Sequence, residues 1–170
     1  MKTHRAMGPM LAALVALTCH FAAPAHAAPS TPGDHRMSTH VSGSFSVTMT
    51  PAGTPQRAGR TALGRMLLDK VYTGELAATA SGEMLSAVTD TKGAAGYVAI
   101  EAITGVLQGR QGSFVVQHAG TMGDGQQTLA IVIVPHSGTG QLEGISGTMG
   151  IRIEGGQHFY DLDYSLPVVR

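Results

Sequence analysis

Beyond residue 38 the chain is cut at short intervals by glycine, and the intervals are filled with Val, Ile, Thr and Tyr. β-Branched and aromatic side chains suit a pleated, half-buried surface, and glycine supplies the turns between such strands. No stretch carries a long 3.6-residue apolar period with caps, so a helical domain is excluded. Eight strands are expected, at about 39–49, 61–74, 75–88, 96–107, 112–122, 127–137, 142–154 and 158–167. Their even spacing and short turns point to an all-β barrel or sandwich. The first strand is the clearest. Val41, Phe45, Val47 and Met49 alternate with Ser42, Ser44, Ser46 and Thr48, giving one dry face and one wet face. Residues 51–59, with two prolines and two glycines, read as a loop.

The first 27 residues have a different character. Lys2 and Arg5 make a short positive start, residues 10–23 are apolar apart from Thr18, Cys19 and His20, and Ala25-His26-Ala27 is a small-x-small cleavage site. The run is shorter than the ~20 apolar residues of a bilayer-spanning helix. A cleaved signal peptide at 1–27 is therefore expected, then a flexible lead-in at 28–37 and a barrel domain at 38–170, in a secreted or periplasmic protein. Thr18 stands where a lipoprotein signal needs a small residue before its cysteine. Cleavage would remove the one cysteine, so the mature domain would rely on its core alone. It would also leave nine of the eleven basic residues against eleven acidic ones, a formal charge of −2. With no basic cluster, no Trp and no basic amphipathic helix, neither a nucleic-acid partner nor a stable membrane anchor after cleavage is expected.

An internal repeat links residues 104–114 with residues 139–149 through the pattern T-G-x-L-x-G-x-x-G-[ST] followed by Phe114 or Met149; a partial copy starts at Thr73. It reads as a repeated hairpin whose glycines let the strands bend, as closure of a small barrel requires. The segment EAITGVLQGRQGSFVVQHAG, from Glu101 to Gly120, resembles the central motif of the family catalogued as "domain of unknown function 3224". Residues 137–147 and the pattern His158-x-Tyr160-x-Leu162-Asp163-Tyr164 resemble later segments of that family. The likeness spans residues 38–166. It implies an eight-stranded antiparallel β-barrel similar to that of the plant allene oxide cyclases, and it implies no activity.

Turns set the register of such a barrel. A loop centred on Gly109-Arg110 places Glu101 opposite His118 and Ile103 opposite Val116. Carried over by the repeat, the same geometry pairs His136 with Ile153. The Gly155-Gly156 turn then pairs Ile153 with His158, Ile151 with Tyr160 and Met149 with Leu162. Ile145, Met149, Ile151 and Ile153 alternate with polar residues and must face inward. By register Ala99, Glu101, Ile103, Phe114, Val116, His118, Val132, Val134, His136, His158, Tyr160, Leu162 and Tyr164 face inward too. Val98, Ile100, Val115, Leu129, Ile131 and Ile133 are left outside, an apolar patch that predicts a homo-oligomer.

A carboxylate inside an apolar lumen must be paired or protonated. Glu101 and His118 are accordingly the candidate catalytic pair, for acid–base work on a bound molecule, although a purely structural contact has the same sequence pattern. The walls of a small-ligand site would be Ile103, Phe114, Val116, Ile151, Tyr160 and Leu162. His118, His136 and His158 show no fixed ligand spacing, so no metal and no other cofactor is expected. Asp161 and Asp163 share an outward face, Gly123-Asp124-Gly125 reads as a hairpin turn, and Ser113 lacks the G-x-S-x-G elbow of a serine hydrolase. Three functions remain open: a barrel that binds a small apolar ligand, an isomerase- or cyclase-like enzyme by analogy with the allene oxide cyclases, and a structural oligomeric module.

Overall fold

A computed structural model describes residues 38–168. The signal peptide expected at 1–27 and the lead-in at 28–37 lie outside the described residues. The strands are β1 (Thr39–Pro51), β2 (Gln56–Ala58), β3 (Thr61–Gly74), β4 (Leu76–Thr89), β5 (Ala95–Leu107), β6 (Arg110–Gly123), β7 (Gln126–Ile133), β8 (Ser146–Glu154) and β9 (Gln157–Ser165). All neighbours are antiparallel, and β1 pairs with both β9 and β3, which closes eight strands into a barrel. The three-residue β2, inside the stretch expected to be loop, only borders the start of β3.

Alternation along each strand decides which side chains enter the lumen. On β4, Leu76, Ala78 and Ala80 are buried while Ala77, Thr79 and Ser81 are exposed. The two ends of the lumen differ. Toward one end Val41, Leu76, Ile103, Leu107, Phe114, Val116, Leu142, Ile145, Tyr160, Leu162 and Tyr164 fill it. Close packing here depends on glycine. A Cβ on Gly43 would lie 2.1 Å from the Thr73 carbonyl oxygen and 2.6 Å from Tyr160 Oη. Tyr160 Oη in turn accepts the Leu76 N–H at 2.9 Å. At the opposite end Met49, Val88, Met122 and Ile153 are exposed around an open mouth.

The β5–β6 hairpin turns at Gln108-Gly109, both at positive φ (45° and 78°), and not at Gly109-Arg110. Glu101 therefore pairs with Val116, Ile103 with Phe114, and Ala99 with His118. The expected register is off by two residues in its pairing, an even slip that keeps every side chain on its expected face. Glu101, Ile103, Phe114, Val116 and His118 are all buried inside. The β8–β9 register agrees with expectation, including Ile151 opposite Tyr160 and Met149 opposite Leu162.

The second copy of the repeat is not a hairpin. β7 ends at Ile133, and residues 134–145 form a loop with one 3-10 turn, Gly140–Leu142. Strands β7 and β8 meet at Val132 and Thr148, so His136 does not pair with Ile153. His136 is exposed in the loop, with φ of 60°. The faces of β7 are accordingly reversed: Ile131 and Ile133 are buried, Leu129 packs against the core, and Val132 is exposed. Leu129, Ile131 and Ile133 thus leave the outer patch, and Val115 is half-buried. Val98 and Ile100 remain outside, joined by Leu85, which pairs with Val98.

Candidate functional site

The site forms where the filled and open parts of the lumen meet. Inward positions 66, 68, 70 and 72 of β3 bring Met66, Leu68, Lys70 and Tyr72 to the same face, and β5 and β6 bring Glu101 and His118 to meet them. Glu101 is fully buried and Lys70 nearly so. Lys70 Nζ donates to Glu101 Oε2 at 2.6 Å, and the Tyr72 hydroxyl donates to Glu101 Oε1 at 2.6 Å. His118 Nε2 lies 3.3 Å from Glu101 Oε2 without the alignment of a hydrogen bond, and it is a buried polar atom with no hydrogen-bond partner. The Lys70 ammonium also stands 4.9 Å from the centre of the Phe45 ring, a cation–π distance.

Burial alone would raise the Glu101 carboxyl, but His118, Lys70 and Tyr72 outweigh it and hold the group below its ordinary value. Glu101 is therefore a carboxylate at neutral pH. The Tyr72 hydroxyl is pushed well above its ordinary range, first by burial and then by the neighbouring Glu101 charge, and stays protonated. Lys70 and Glu101 thus face each other as a buried, hydrogen-bonded ion pair.

Above it opens a cavity of about 500 Å³. Its walls are mainly apolar: Phe45, Val47, Leu68, Leu129, Ile151 and four methionines, Met49, Met66, Met84 and Met122. Unbranched thioether side chains adapt to irregular ligands. Met66 and Met84 are direct cross-strand partners, and Met84, Ala99 and His118 follow one another across β4, β5 and β6. Lys70 and His118 line the cavity; Glu101 does not, and stands behind them.

Each expected site residue can now be placed. His118 faces the cavity, and Glu101 supports it from beneath. Of the expected ligand walls, Ile151 lines the cavity, whereas Ile103, Phe114, Val116, Tyr160 and Leu162 are buried in the filled part of the barrel. The physical reason is that the filled end is tightly packed, and the open space lies at the methionine-rich mouth. His158 lies at that mouth beside the Phe45 ring, 5.2 Å between centres, and not beside His118. Asp161 and Asp163 face outward, where Arg152 Nε donates to Asp161 and His40 contacts Asp163, each at 2.9 Å. Lys70 and Tyr72 escaped the sequence reading. The signal for them was present: Lys70 is the one charge in the even-numbered row Met66, Leu68, Lys70, Tyr72.

The model of the family described as "Protein of unknown function (DUF3224)" matches residues 41–164. A crystal structure of a protein with unknown function from that family, from Shewanella oneidensis MR-1, is 54% identical; the match covers 78% of this chain and all of that one, with a TM-score of 0.74. No curated protein matches. With its family match spanning nearly the whole barrel, from β1 to the last residues of β9, the chain belongs to the DUF3224 family.

Proposed function

We propose that the protein binds a small, largely apolar molecule in the open end of its barrel. The observation that carries this reading is the cavity of about 500 Å³, apolar along its walls and polar at its floor. Its size falls within the range of about 300–1,000 Å³ common to small-molecule sites, and a few convergent polar groups on an apolar wall are their usual composition. Native mass spectrometry of protein purified from two unrelated hosts tests it, together with displacement of an apolar fluorescent dye. Retained small molecules or saturable dye binding, lost when Met84→Trp fills the mouth, are expected. Dye binding unchanged by that substitution would place it elsewhere and end the proposal.

One observation favours a second reading, an isomerase- or cyclase-like enzyme. His118 faces the cavity with a carboxylate 3.3 Å behind one ring nitrogen, an arrangement that can orient an imidazole for proton transfer. On this reading His118 is the acid–base group and Glu101 its positioning partner. Turnover lost in His118→Gln while ligand affinity persists would separate enzyme from carrier.

A further inference from the structure

The charge balance of the cavity floor limits what its occupant can carry. Resting on the binding function proposed above, we infer that the occupant is electrically neutral, with one hydrogen-bonding oxygen (a ketone, ester or hydroxyl) at its leading end and an apolar remainder.

Lys70 and Glu101 are the two buried residues of opposite charge in the described lumen, and they already neutralise each other at 2.6 Å. A carboxylate arriving at the floor would make two anions share one buried ammonium. Burying an unbalanced charge carries a desolvation penalty that apolar contacts alone would have to offset. An ammonium would meet Lys70 at the cavity surface, with Glu101 set behind it. A pure hydrocarbon avoids both penalties but leaves polar capacity idle. Lys70 has three N–H donors, of which one serves Glu101 and one reaches toward Tyr72 Oη at 3.4 Å. His118 Nε2, 3.3 Å from Glu101 Oε2, is buried without a hydrogen-bond partner. A single neutral oxygen can accept from Lys70 and engage His118 without disturbing the carboxylate. The methionine walls then accept an apolar body of varied shape.

The test is a ten-carbon series against the full-length protein at pH 7: 2-decanone, 1-decanol, decanoate, decylammonium and decane, each competing with the bound dye. The ketone or the alcohol is expected to bind at least tenfold more tightly than decanoate, decylammonium and decane. In Lys70→Met/Glu101→Gln, which removes both charges together, that preference for an oxygen over plain decane is expected to shrink severalfold. Decanoate binding as tightly as the ketone would overturn the neutral-ligand inference while leaving the cavity as a binding site. Equal affinity for decane and ketone would also overturn it. Failure of every member to displace the dye would instead remove the underlying binding function.

Discussion

Glu101 is the residue on which the interior turns. It accepts from Lys70 and Tyr72 and stands beside His118, so side chains of β3 and β6 converge on one carboxylate of β5. Removing one partner of a buried pair strands the other, typically at a cost of about 3–5 kcal/mol. Glu101→Gln is expected to lose that much stability in urea denaturation, and Lys70→Met/Glu101→Gln to recover part of it. The pH dependence follows from the same contacts. The folded carboxyl titrates below its ordinary value of 4.5, so its contribution is fully present above that pH and is lost as pH falls through the folded value. Unfolding free energy measured from pH 7 down to pH 3 is expected to decline below about pH 4.5, with a shallower decline in Glu101→Gln. Gly43 is the backbone counterpart. With Thr73 oxygen and Tyr160 already in its Cβ space, Gly43→Ala is expected to destabilise by at least the ~1–3 kcal/mol typical of overpacking, read from the same denaturation curves.

Among the elements, the loop at 134–145 departs most from its sequence pattern. It takes over the edge of β6 where β7 stops. Ser137 Oγ, Thr139 Oγ1 and Gln141 Oε1 accept the N–H groups of Val115, Ser113 and Gln111, every second residue, in place of a strand's carbonyls. Leu142 closes the filled end and is 1% exposed. Leu142→Ala is expected to cost about 2–5 kcal/mol in denaturation, with the loss concentrated in amides of β6 and the loop by hydrogen exchange. Nothing in the repeat pattern distinguishes this loop from the true hairpin at 108–109, because both copies share Thr, Leu and Gly at the same spacing. What differs is tertiary: in the second copy Leu142 finds a space in the barrel end, and Thr139 finds β6. The two-residue turns were more informative. Asp124 and Gly125 both have positive φ, and their hairpin sets Ile131 and Ile133 inward beside His118 and Val116. Register taken from that turn, and not from the repeat, would have assigned β7 its observed face.

For the molecule as a whole, one barrel has two unlike ends and an apolar flank. The flank runs over Leu85, Val98 and Ile100, each about half exposed or more. We propose that this flank joins copies of the chain. Light scattering at micromolar concentration is expected to show an oligomer that Val98→Lys/Ile100→Lys reduces to monomer without changing the circular dichroism of the strands; a monomeric parent would refute it.

The eight barrel strands, their antiparallel order and the inward position of Glu101 and His118 follow from the sequence, though not the short β2 or the facing ends of β7 and β8, because side-chain alternation and turn chemistry act between near neighbours in the chain. Only closure of the barrel decided that Lys70 and Tyr72 reach Glu101, that one end is filled by Leu142 and Ile145, and that methionines ring an open mouth. These contacts join residues about thirty or more positions apart in several cases, as Lys70 and Glu101 are, and their geometry depends on how many side chains the lumen can hold at each level. That is a question of volume, which no local pattern encodes.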